Sequence, residues 1–265
     1  MPVKITSLTN PKIKNVVRLR QRGHRDETGL TVVDGIKEIG CAIKSSVKLA
    51  EIYTCPQAWP EGQNGLLEQF ASLDAECFET TKEVFEKIAY GDRNDGALAV
   101  CRTPDSSIAR IKPNANGLYL VLEQIEKPGN LGAVLRTADA VGADGVFVCD
   151  PRTDLYNPNV IRSSLGAIFS VPVVSCSNDE ALDFFKQHRV AVAAAVPGAQ
   201  KSFYTLDLKA GTAVVLGSEE KGLTDFWTAK DFEKVSVPMN GRVDSLNVSV
   251  TAAVILYEAH RQRQN

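Results

Sequence analysis

Short, almost continuously apolar runs alternate with segments of helical periodicity through the second half of the chain. The five runs lie at 118–124, 145–150, 190–196, 213–217 and 234–238. The helical segments that separate them lie at about 129–141, 178–187, 222–230 and 247–262. Strands without polar alternation are typical of a parallel sheet that helices cover on both faces. Because ligands bind beyond the carboxyl ends of such strands, the loops that follow these runs are candidates for the functional site.

The first hundred residues alternate between the two patterns as well, which predicts a small α/β domain. The segment NPKIKNVVRLR has helical spacing that puts Ile13, Val16 and Val17 on one face. The strands predicted after it lie at 30–34, 48–54 and 97–101. The helices predicted after it lie at 35–45 and 80–89. Thr80 or Thr81 is the expected cap of the second of these helices.

A polar segment, TPDSSIARIKPNAN at 103–116, separates the two halves of the pattern. It contains two prolines, several small polar residues and no long apolar run, as linkers do. We therefore predict one domain at 1–103, a linker at 104–116 and a second domain at 117–265.

The composition argues against several classes of protein. The chain has 265 residues, of which 44% are hydrophobic and 23% are charged, as in an ordinary globular protein. No apolar run approaches the roughly 20 residues of a membrane-spanning helix, and the first residues have no stretch suited to a signal peptide. We therefore expect a cytoplasmic protein without a membrane partner. Six cysteines without a C-x-x-C pair, and only three histidines, predict reduced thiols and no metal site.

The net charge of −2 does not indicate nucleic-acid binding, but the charge is unevenly distributed. The first 25 positions contain no acidic residue and seven basic ones: Lys4, Lys12, Lys14, Arg18, Arg20, Arg22 and Arg25. Such a block can bind phosphates even on a mildly acidic protein, or it can be the solvated face of a helix. The sequence leaves both interpretations open.

The first loop of interest, EKPGNLGAVLRTADA at 126–140, leads from a strand into a helix that we expect to begin near Asn130. Its predicted buried face consists of Leu131, Val134, Leu135 and Ala138. Arg136 falls outside this face, so its guanidinium is available to solvent or to a ligand. The loop lacks the G-x-G-x-x-G spacing of dinucleotide-binding proteins, which argues against a Rossmann-type enzyme.

The second loop, VVLGSEEKGL at 214–223, leads from a strand towards a helix that we expect to begin near Gly222. Gly217 allows the backbone to approach a ligand closely. Glu219 lies in the bend, where its carboxylate can hold a partner side chain. Taken alone, the loop is more typical of a plain strand-to-helix turn.

The third loop and the helix after it span VPMNGRVDSLNVSVTAA at 237–253. Either Ser245 or Asn247 is a suitable N-cap for the helix. A role in capping explains one of these two polar residues, but it does not explain why the whole S-L-N run at 245–247 is present. The predicted buried face of the helix consists of Leu246, Val250, Ala253, Val254 and Tyr257.

Taken together, the three loops resemble the signature motifs of the SpoU-type branch of the SPOUT RNA methyltransferases. The motifs occur in order as N-L-G-x-x-x-R-T-A, L-G-S-E-x-x-G-L and V-P-M-x-G-x-x-x-S-L-N. The resemblance covers residues 117–265, and the stretch NPNVIRSSLGA at 157–167 is also similar to a helix of the family. It implies a parallel sheet with a deep trefoil knot, which patterning alone would not suggest.

The N-terminal part is similar, more loosely, to the substrate-binding domain of many family members, which resembles a ribosomal RNA-binding protein fold. The segments that carry this likeness are NPKIKNVVRLR at 10–20 and LTVVDGIKE at 30–38. Thr31 and Asp34 stand where the family commonly has an aromatic residue and a glutamate. A complete N-terminal domain of this kind favours large-subunit (23S-type) ribosomal RNA over transfer RNA as the substrate.

The resemblance also implies roles for individual residues. Backbone contacts to S-adenosylmethionine are expected from Ala195, Gly217, Val237 and Leu246. Arg136 matches the catalytic arginine, and because arginine stays protonated, we expect it to stabilise the developing alkoxide and to hold the adjacent phosphate. The residues expected to orient Arg136 and the ribose are Asn130, Glu219, Ser245 and Asn247. Active sites of the family lie beside a dimer interface, so we expect a homodimer, with Arg136 acting within its own subunit or across that interface.

Three alternatives stay open beside ribose 2′-O-methylation of ribosomal RNA. The chain could be a non-catalytic RNA-binding protein of the same fold, although the intact Arg136, Glu219 and S-L-N run argue against it. It could be a SPOUT enzyme that methylates a base nitrogen, although N-L-G-x-x-x-R and S-L-N favour the ribose. It could also act on the ribose of transfer RNA.

Overall fold

The computed structural model describes residues 2–62, 64–90 and 95–264. Contacts between Cα atoms divide the chain into two compact units. Unit 1 comprises Met1–Pro104 and Tyr156–Ser170, and unit 2 comprises Asp105–Leu155 and Val171–Asn265. The domain that the sequence predicts at 117–265 includes the segment 156–170, and the domain limits remain a prediction.

Unit 1 is an α/β unit with a mixed sheet. Its strands, numbered along the chain, are β1 (Val3–Ile5), β2 (Leu30–Asp34), β3 (Leu49–Thr54), β4 (Glu76–Thr80) and β5 (Ala97–Arg102). The sheet order is β1-β4-β3-β5-β2, with β5 antiparallel to both its neighbours and the other pairs parallel. Its helices are α1 (Pro11–Arg18), α2 (Arg22–Thr28), α3 (Ile36–Lys44), α4 (Asn64–Ala71), α5 (Lys82–Ile88), α7 (Pro158–Ser163) and α8 (Ala167–Ser170). The N-terminal α/β unit predicted from the sequence is confirmed.

The ends of the helices in unit 1 follow from local sequence. Asn10 caps α1, because its side chain accepts a hydrogen bond from the backbone N of Lys12 at 2.9 Å. Ile13 and Val16 are buried in the core, whereas Val17 is half-buried at its margin. Thr81, rather than Thr80, caps α5 by accepting from the backbone N of Val84. A side-chain cap satisfies one of the backbone N–H groups that a helix start leaves unpaired.

Unit 2 is built on a seven-stranded sheet in which every neighbouring pair is parallel. Its strands are β6 (Leu118–Glu123), β7 (Gly145–Cys149), β8 (Val173–Cys176), β9 (Ala191–Ala195), β10 (Lys201–Ser202), β11 (Thr212–Leu216) and β12 (Glu233–Ser236). The sheet order is β10-β12-β9-β11-β6-β7-β8. Its helices are α6 (Pro128–Val141), α9 (Asn178–Gln187), α10 (Asp225–Thr228) and α11 (Val248–Arg263). The predicted parallel sheet is confirmed, and the trefoil knot stays a prediction.

Helix α6 has the predicted buried face and an earlier start than expected. Leu131, Val134, Leu135 and Ala138 are buried, and Arg136 is exposed, as the spacing predicts. The helix begins at Pro128 rather than near Asn130, because the fixed φ of proline suits the first helical position and its missing N–H is not needed there. Gly142, with φ +68°, ends the helix in the left-handed conformation.

Two sequence expectations about unit 2 are wrong. The helix expected at 222–230 is a single short one, α10, because Gly222 has φ +66° and forms a bridge with Ser218 that extends the turn. The buried residues of α11 are Val248, Ala252, Ile255, Leu256 and Ala259. Val250 and Tyr257, which we expected inside, are 46% and 53% exposed. The apolar residues of this helix encircle it, so the sequence did not distinguish its buried face from its exposed one.

Several short elements were not predicted at all. They include β1, β4 and β10, and also β8, which follows Val171 and Pro172 in a run too short to identify by periodicity.

Helix α11, with 16 residues, is shorter than a bilayer requires. No helix in the described parts of the chain is long and apolar enough to cross a membrane.

Asp34, at the end of β2, has an unusual electrostatic environment. Its side chain accepts a hydrogen bond from the backbone N of Tyr90 at 2.5 Å. Burial raises the pKa of this carboxyl from 3.8 to about 6, and the nearby charges of Asp95 and Glu38 add to the rise. The Tyr90 hydrogen bond and the charge of Arg162 act in the opposite direction without cancelling it. The folded protein therefore binds a proton at Asp34 more tightly than the unfolded chain does.

This shift predicts a pH-dependent stability difference for Asp34→Asn. Above the folded pKa of about 6, the wild-type protein contains a poorly solvated charge that Asn does not have. The variant should be more stable at pH 7 by up to about 3 kcal/mol, and the difference should close as the pH falls towards 4. Urea unfolding across this range measures it. A difference that grows on acidification would contradict the assignment.

Candidate active site

The loop after β11 folds back on itself at Gly217. A Cβ atom at this position would collide with the backbone of Gly222 and Leu223. The backbone N of Ser218 donates to the carbonyl of Gly222 at 3.1 Å, and the N of Gly222 donates back to the carbonyl of Ser218 at 2.9 Å. A glycine is therefore required at 217, because no side chain fits between the two arms of the loop.

A buried carboxylate at the end of β6 holds the far arm of this loop. Glu123 is 1% exposed, and its Oε2 accepts from the backbone N of Thr224 at 2.7 Å. Its Oε1 accepts from the Thr224 hydroxyl at 2.6 Å and from the amide of Asn178, at the start of α9, at 2.7 Å. The indole of Trp227 donates to Asn178 Oδ1 at 2.8 Å. These bonds join β6, α9 and the loop after β11 at one point.

The first cavity lies against this loop and has a volume of about 360 Å³. Its lining is mainly backbone, glycine and apolar side chains. It includes all four residues expected to contact a cofactor, Ala195, Gly217, Val237 and Leu246, together with Glu219 and Ser245. Residues from the ends of β9, β11 and β12 thus meet at the carboxyl edge of the sheet, where ligands bind in parallel α/β proteins.

Glu219 is the centre of a polar cluster that we call the Glu219 cluster, consisting of Glu219, Lys127, Asn130 and Asn247. The amide of Asn247 donates to Glu219 Oε1 at 2.6 Å and lies 3.3 Å from Asn130 Oδ1. The Asn130 amide also donates to Glu219 Oε1. The ammonium of Lys127 lies 2.6 Å from Glu219 Oε2. The cluster connects the starts of α6 and α11 to the loop after β11.

A second cavity of about 310 Å³ opens beside the Glu219 cluster. Its lining includes Lys127, Asn130 and Glu219, together with Val248. Gly217, Ser218, Glu219, Glu220 and Val248 line both cavities. The two cavities are therefore adjacent, one mostly apolar and the other edged by amides and carboxylates.

Asn247 is also the N-cap of α11, since its Oδ1 accepts from the backbone N of Ser249 at 2.9 Å. The other two predicted residues, Ser245 and Arg136, have no hydrogen bond to the cluster among the described residues. Ser245 lines the first cavity without a side-chain hydrogen bond among the described residues. Arg136 is exposed, lines neither cavity, and has no hydrogen bond or ion pair within the described part of the chain. Lys127 was missed, although its place immediately before P-G-N in the first motif was a usable signal.

The basic block of the first 25 residues is mostly engaged in contacts within unit 1. Lys12 pairs with Glu51 at 2.7 Å and Glu76 at 3.0 Å, and the buried Arg25 donates to backbone carbonyl oxygens. Lys4, Arg20 and Arg22 also have partners. Lys14 and Arg18 remain exposed on α1. Most of these cations therefore have a partner within unit 1, but only Arg25 of the seven is buried, and Lys4, Lys14, Arg18, Arg20 and Arg22 are exposed.

Within the described residues, no group of three or more His, Cys, Asp or Glu side chains is arranged to hold a metal ion. Cys101 and Cys149 are buried, and burial raises the pKa of the Cys101 thiol to about 12. The thiol of Cys149 contacts that of Cys176 at 3.8 Å, and this hydrogen bond, together with burial, also raises the pKa of Cys149. These thiols are protonated at neutral pH, as in structural cysteines rather than nucleophiles.

Comparison with known proteins identifies relatives of both parts of the chain. Residues 117–257 match the model of the SpoU rRNA methylase family, and residues 10–99 match an MRM3-like substrate-binding domain. A 23S rRNA (uridine(2479)-2′-O)-methyltransferase of Streptomyces viridochromogenes is 29% identical, over 92% of this chain and 87% of the relative.

Solved structures are similar over the whole length. The crystal structure of an RNA 2′-O ribose methyltransferase is 38% identical, covers 99% of this chain and 100% of that one, and gives a TM-score of 0.87. The SpoU methyltransferase AviRb of Streptomyces viridochromogenes, in complex with the cofactor AdoMet, is 26% identical, covers 97% and 99% of the two chains, and also gives 0.87.

The hydrogen bonds of Glu123 predict how the loop after β11 responds to mutation. Thr224→Val is nearly isosteric but removes the hydroxyl that donates to the buried carboxylate. We expect a loss of about 1–3 kcal/mol in stability, because a buried charged acceptor is left short of a donor. Thr228→Val is the matched control, since within the described residues the Thr228 hydroxyl bonds to the carbonyl of Thr224 and not to Glu123. Denaturant unfolding compares the two, and equal effects would show that Glu123 does not depend on Thr224.

Proposed function

This chain belongs to the SpoU rRNA methylase family, and we propose that it transfers a methyl group from S-adenosylmethionine to a ribose 2′-hydroxyl of large-subunit ribosomal RNA. The observation that carries the proposal is the Glu219 cluster beside the first cavity, which brings the three motif loops together. The Streptomyces relative, which is named for a 2′-O-methylation of 23S rRNA, supports the choice of RNA.

The first cavity fits the cofactor in size and in chemistry. Its volume of about 360 Å³ lies within the range of about 300–1,000 Å³ that is usual for small-molecule sites. Gly217 lines the cavity with its backbone, since no side chain fits between the two arms of its loop. We assign Ala195, Gly217, Val237 and Leu246 to backbone contacts with the cofactor. The cofactor, when bound, supplies a methyl group that is already activated by a sulfonium centre.

The second cavity is suited to the acceptor ribose. Asn130 and Glu219 line it, and Asn247 is bonded to both, so the cavity offers amides and a carboxylate to hydroxyl groups. Positioning of this kind converts a bimolecular reaction into an effectively unimolecular one. We assign Asn130, Glu219 and Asn247 to orienting the ribose, and Ser245, in the first cavity, to orienting the reacting groups from the other side.

We assign to Arg136 the stabilisation of the negative charge that develops on the acceptor oxygen. Its guanidinium cannot act as a base, because it stays protonated. It stabilises the forming alkoxide and holds the adjacent phosphate, which accepts the proton. Because Arg136 is exposed and lines neither cavity of its own subunit, we assign it to the second cavity of a partner subunit.

A homodimer provides such a partner. Helix α11 presents Val250 and Tyr257, 46% and 53% exposed, on the same side of the helix, seven residues apart. Large apolar side chains grouped on an exposed face are typical of protein interfaces. We therefore propose that this face of α11 contacts a second copy of the chain.

Methyl transfer to RNA tests the proposed reaction. Labelled S-adenosylmethionine and RNA from a strain that lacks the protein should give a labelled 2′-O-methyl nucleoside from the ribosomal fraction. Arg136→Ala should lower turnover by about 100-fold or more, while Lys186→Ala, an exposed cation on α9, should not. Label in transfer RNA alone would contradict the choice of substrate, and a labelled base would contradict the ribose assignment. Cofactor binding without transfer to any RNA would favour a binding protein.

Light scattering tests the proposed dimer. The wild-type protein should have about twice the mass of the 28.7 kDa chain, and Tyr257→Asp should shift it towards the monomer by placing a charge in an apolar contact. The Tyr257→Asp monomer should lose activity, because no partner subunit is then present whose second cavity Arg136 could reach. An active monomer would refute the assignment of Arg136 across the interface.

A further inference from the structure

Lys127 is the one member of the Glu219 cluster to which the sequence motifs give no role. It occupies the N-cap position of α6, where its side chain makes no capping hydrogen bond. Its ammonium instead contacts Glu219, although the Lys127 side chain is 70% exposed. Exposed ion pairs contribute little to stability, so folding alone does not account for a lysine aimed at the centre of the site.

The charges around the second cavity show what Lys127 does there. Among the described residues that line this cavity, Lys127 is the single cation, while Glu126, Glu219 and Glu220 are acidic. Glu126 is neutralised by Arg152, whose Nη1 lies 2.6 Å from its Oε1. Without Lys127, the carboxylates of Glu219 and Glu220 would line one small cavity with no cation to offset them.

The two oxygens of Glu219 have separate partners. Oε1 accepts from the amides of Asn130 and Asn247, and Oε2 faces Lys127. An ammonium on one oxygen fixes the rotation of the carboxylate and leaves the other oxygen directed at the two amides. Lys127 therefore holds the carboxylate in the orientation that the two amides require.

We propose that Lys127 is a positioning residue of the acceptor site: it holds the Glu219 carboxylate in one orientation, so that the carboxylate can accept the hydrogen bond of a ribose hydroxyl in the second cavity. This inference rests on the proposed function. It gives the lysine before P-G-N an electrostatic role, distinct from contact with the cofactor in the first cavity.

The other ionisable groups around Glu219 do not replace Lys127. Glu126 lies directly before Lys127 in the chain. Glu220 and Lys221 follow Glu219 in its own loop. Asp244 lines the first cavity and precedes α11. Three of these four groups are acids, and Lys221 lines only the first cavity. The hydrogen bond to Glu219 and the charge of Glu219 raise the pKa of Lys127, so the lysine stays charged across the working pH range.

The test compares Lys127→Met with Lys127→Arg in steady-state methyl transfer to RNA. Lys127→Met should lower kcat by about tenfold or more, with the KM for S-adenosylmethionine within about twofold of wild type. Lys127→Arg should restore most of kcat, because its guanidinium can also contact the Glu219 carboxylate.

Lys201→Met is the matched control. Lys201 is 64% exposed and pairs with Glu233 at 3.0 Å in the same unit, but it lines neither cavity. Thermal unfolding checks that all variants fold. A Lys127→Met enzyme with wild-type kcat, or one whose main defect is cofactor binding, would refute the inference alone. A wild-type protein that methylates no RNA would refute the proposed function, and this inference with it.

Discussion

The site depends on a buried negative charge, that of Glu123. Placing a carboxylate in the protein interior is unfavourable unless hydrogen bonds compensate for the lost solvent. Here three donors lie within 2.7 Å, two from Thr224 and one from Asn178, and these two residues belong to different parts of the chain. The loop after β11 is therefore fixed at its far end by the central sheet. Glu219, on that loop, takes its position relative to Asn130 and Asn247 from this anchor.

Sequence patterning predicted most of the framework of unit 2, because its strands are buried on both faces and read as apolar runs. It failed where periodicity carries no information, as in the four-residue β8 and in α11, whose apolar residues surround the helix. The gathering of Ala195, Gly217, Val237 and Leu246 around one cavity was expected from the motifs alone. The contact between Lys127 and Glu219 was not expected from the sequence, because the two residues are 92 positions apart and only the folded loops bring them together.

The charged residues of the two units serve different purposes. In unit 1, Lys12 pairs with carboxylates and the buried Arg25 donates to backbone carbonyl oxygens, so these two cations are engaged within the unit. In unit 2, Lys127 and Arg136 remain at the surface near the carboxyl edge of the sheet, one paired with Glu219 and the other exposed. The count of basic residues is therefore a poor guide to where RNA is bound, whereas the partners of each cation are informative.

The position of β11 within the sheet has a consequence for synthesis of the chain. β11 lies between β6 and β9, and its Thr212 pairs with Leu118, which is made roughly 90 residues earlier. At about 5–20 residues per second, the ribosome takes roughly 5 to 20 seconds to deliver β11 after β6 has emerged. During that interval one edge of β6, a strand that is apolar up to Glu123, has no partner, and exposed edges of this kind invite aggregation. Protection of the nascent chain during this delay is therefore a requirement that the strand order itself imposes.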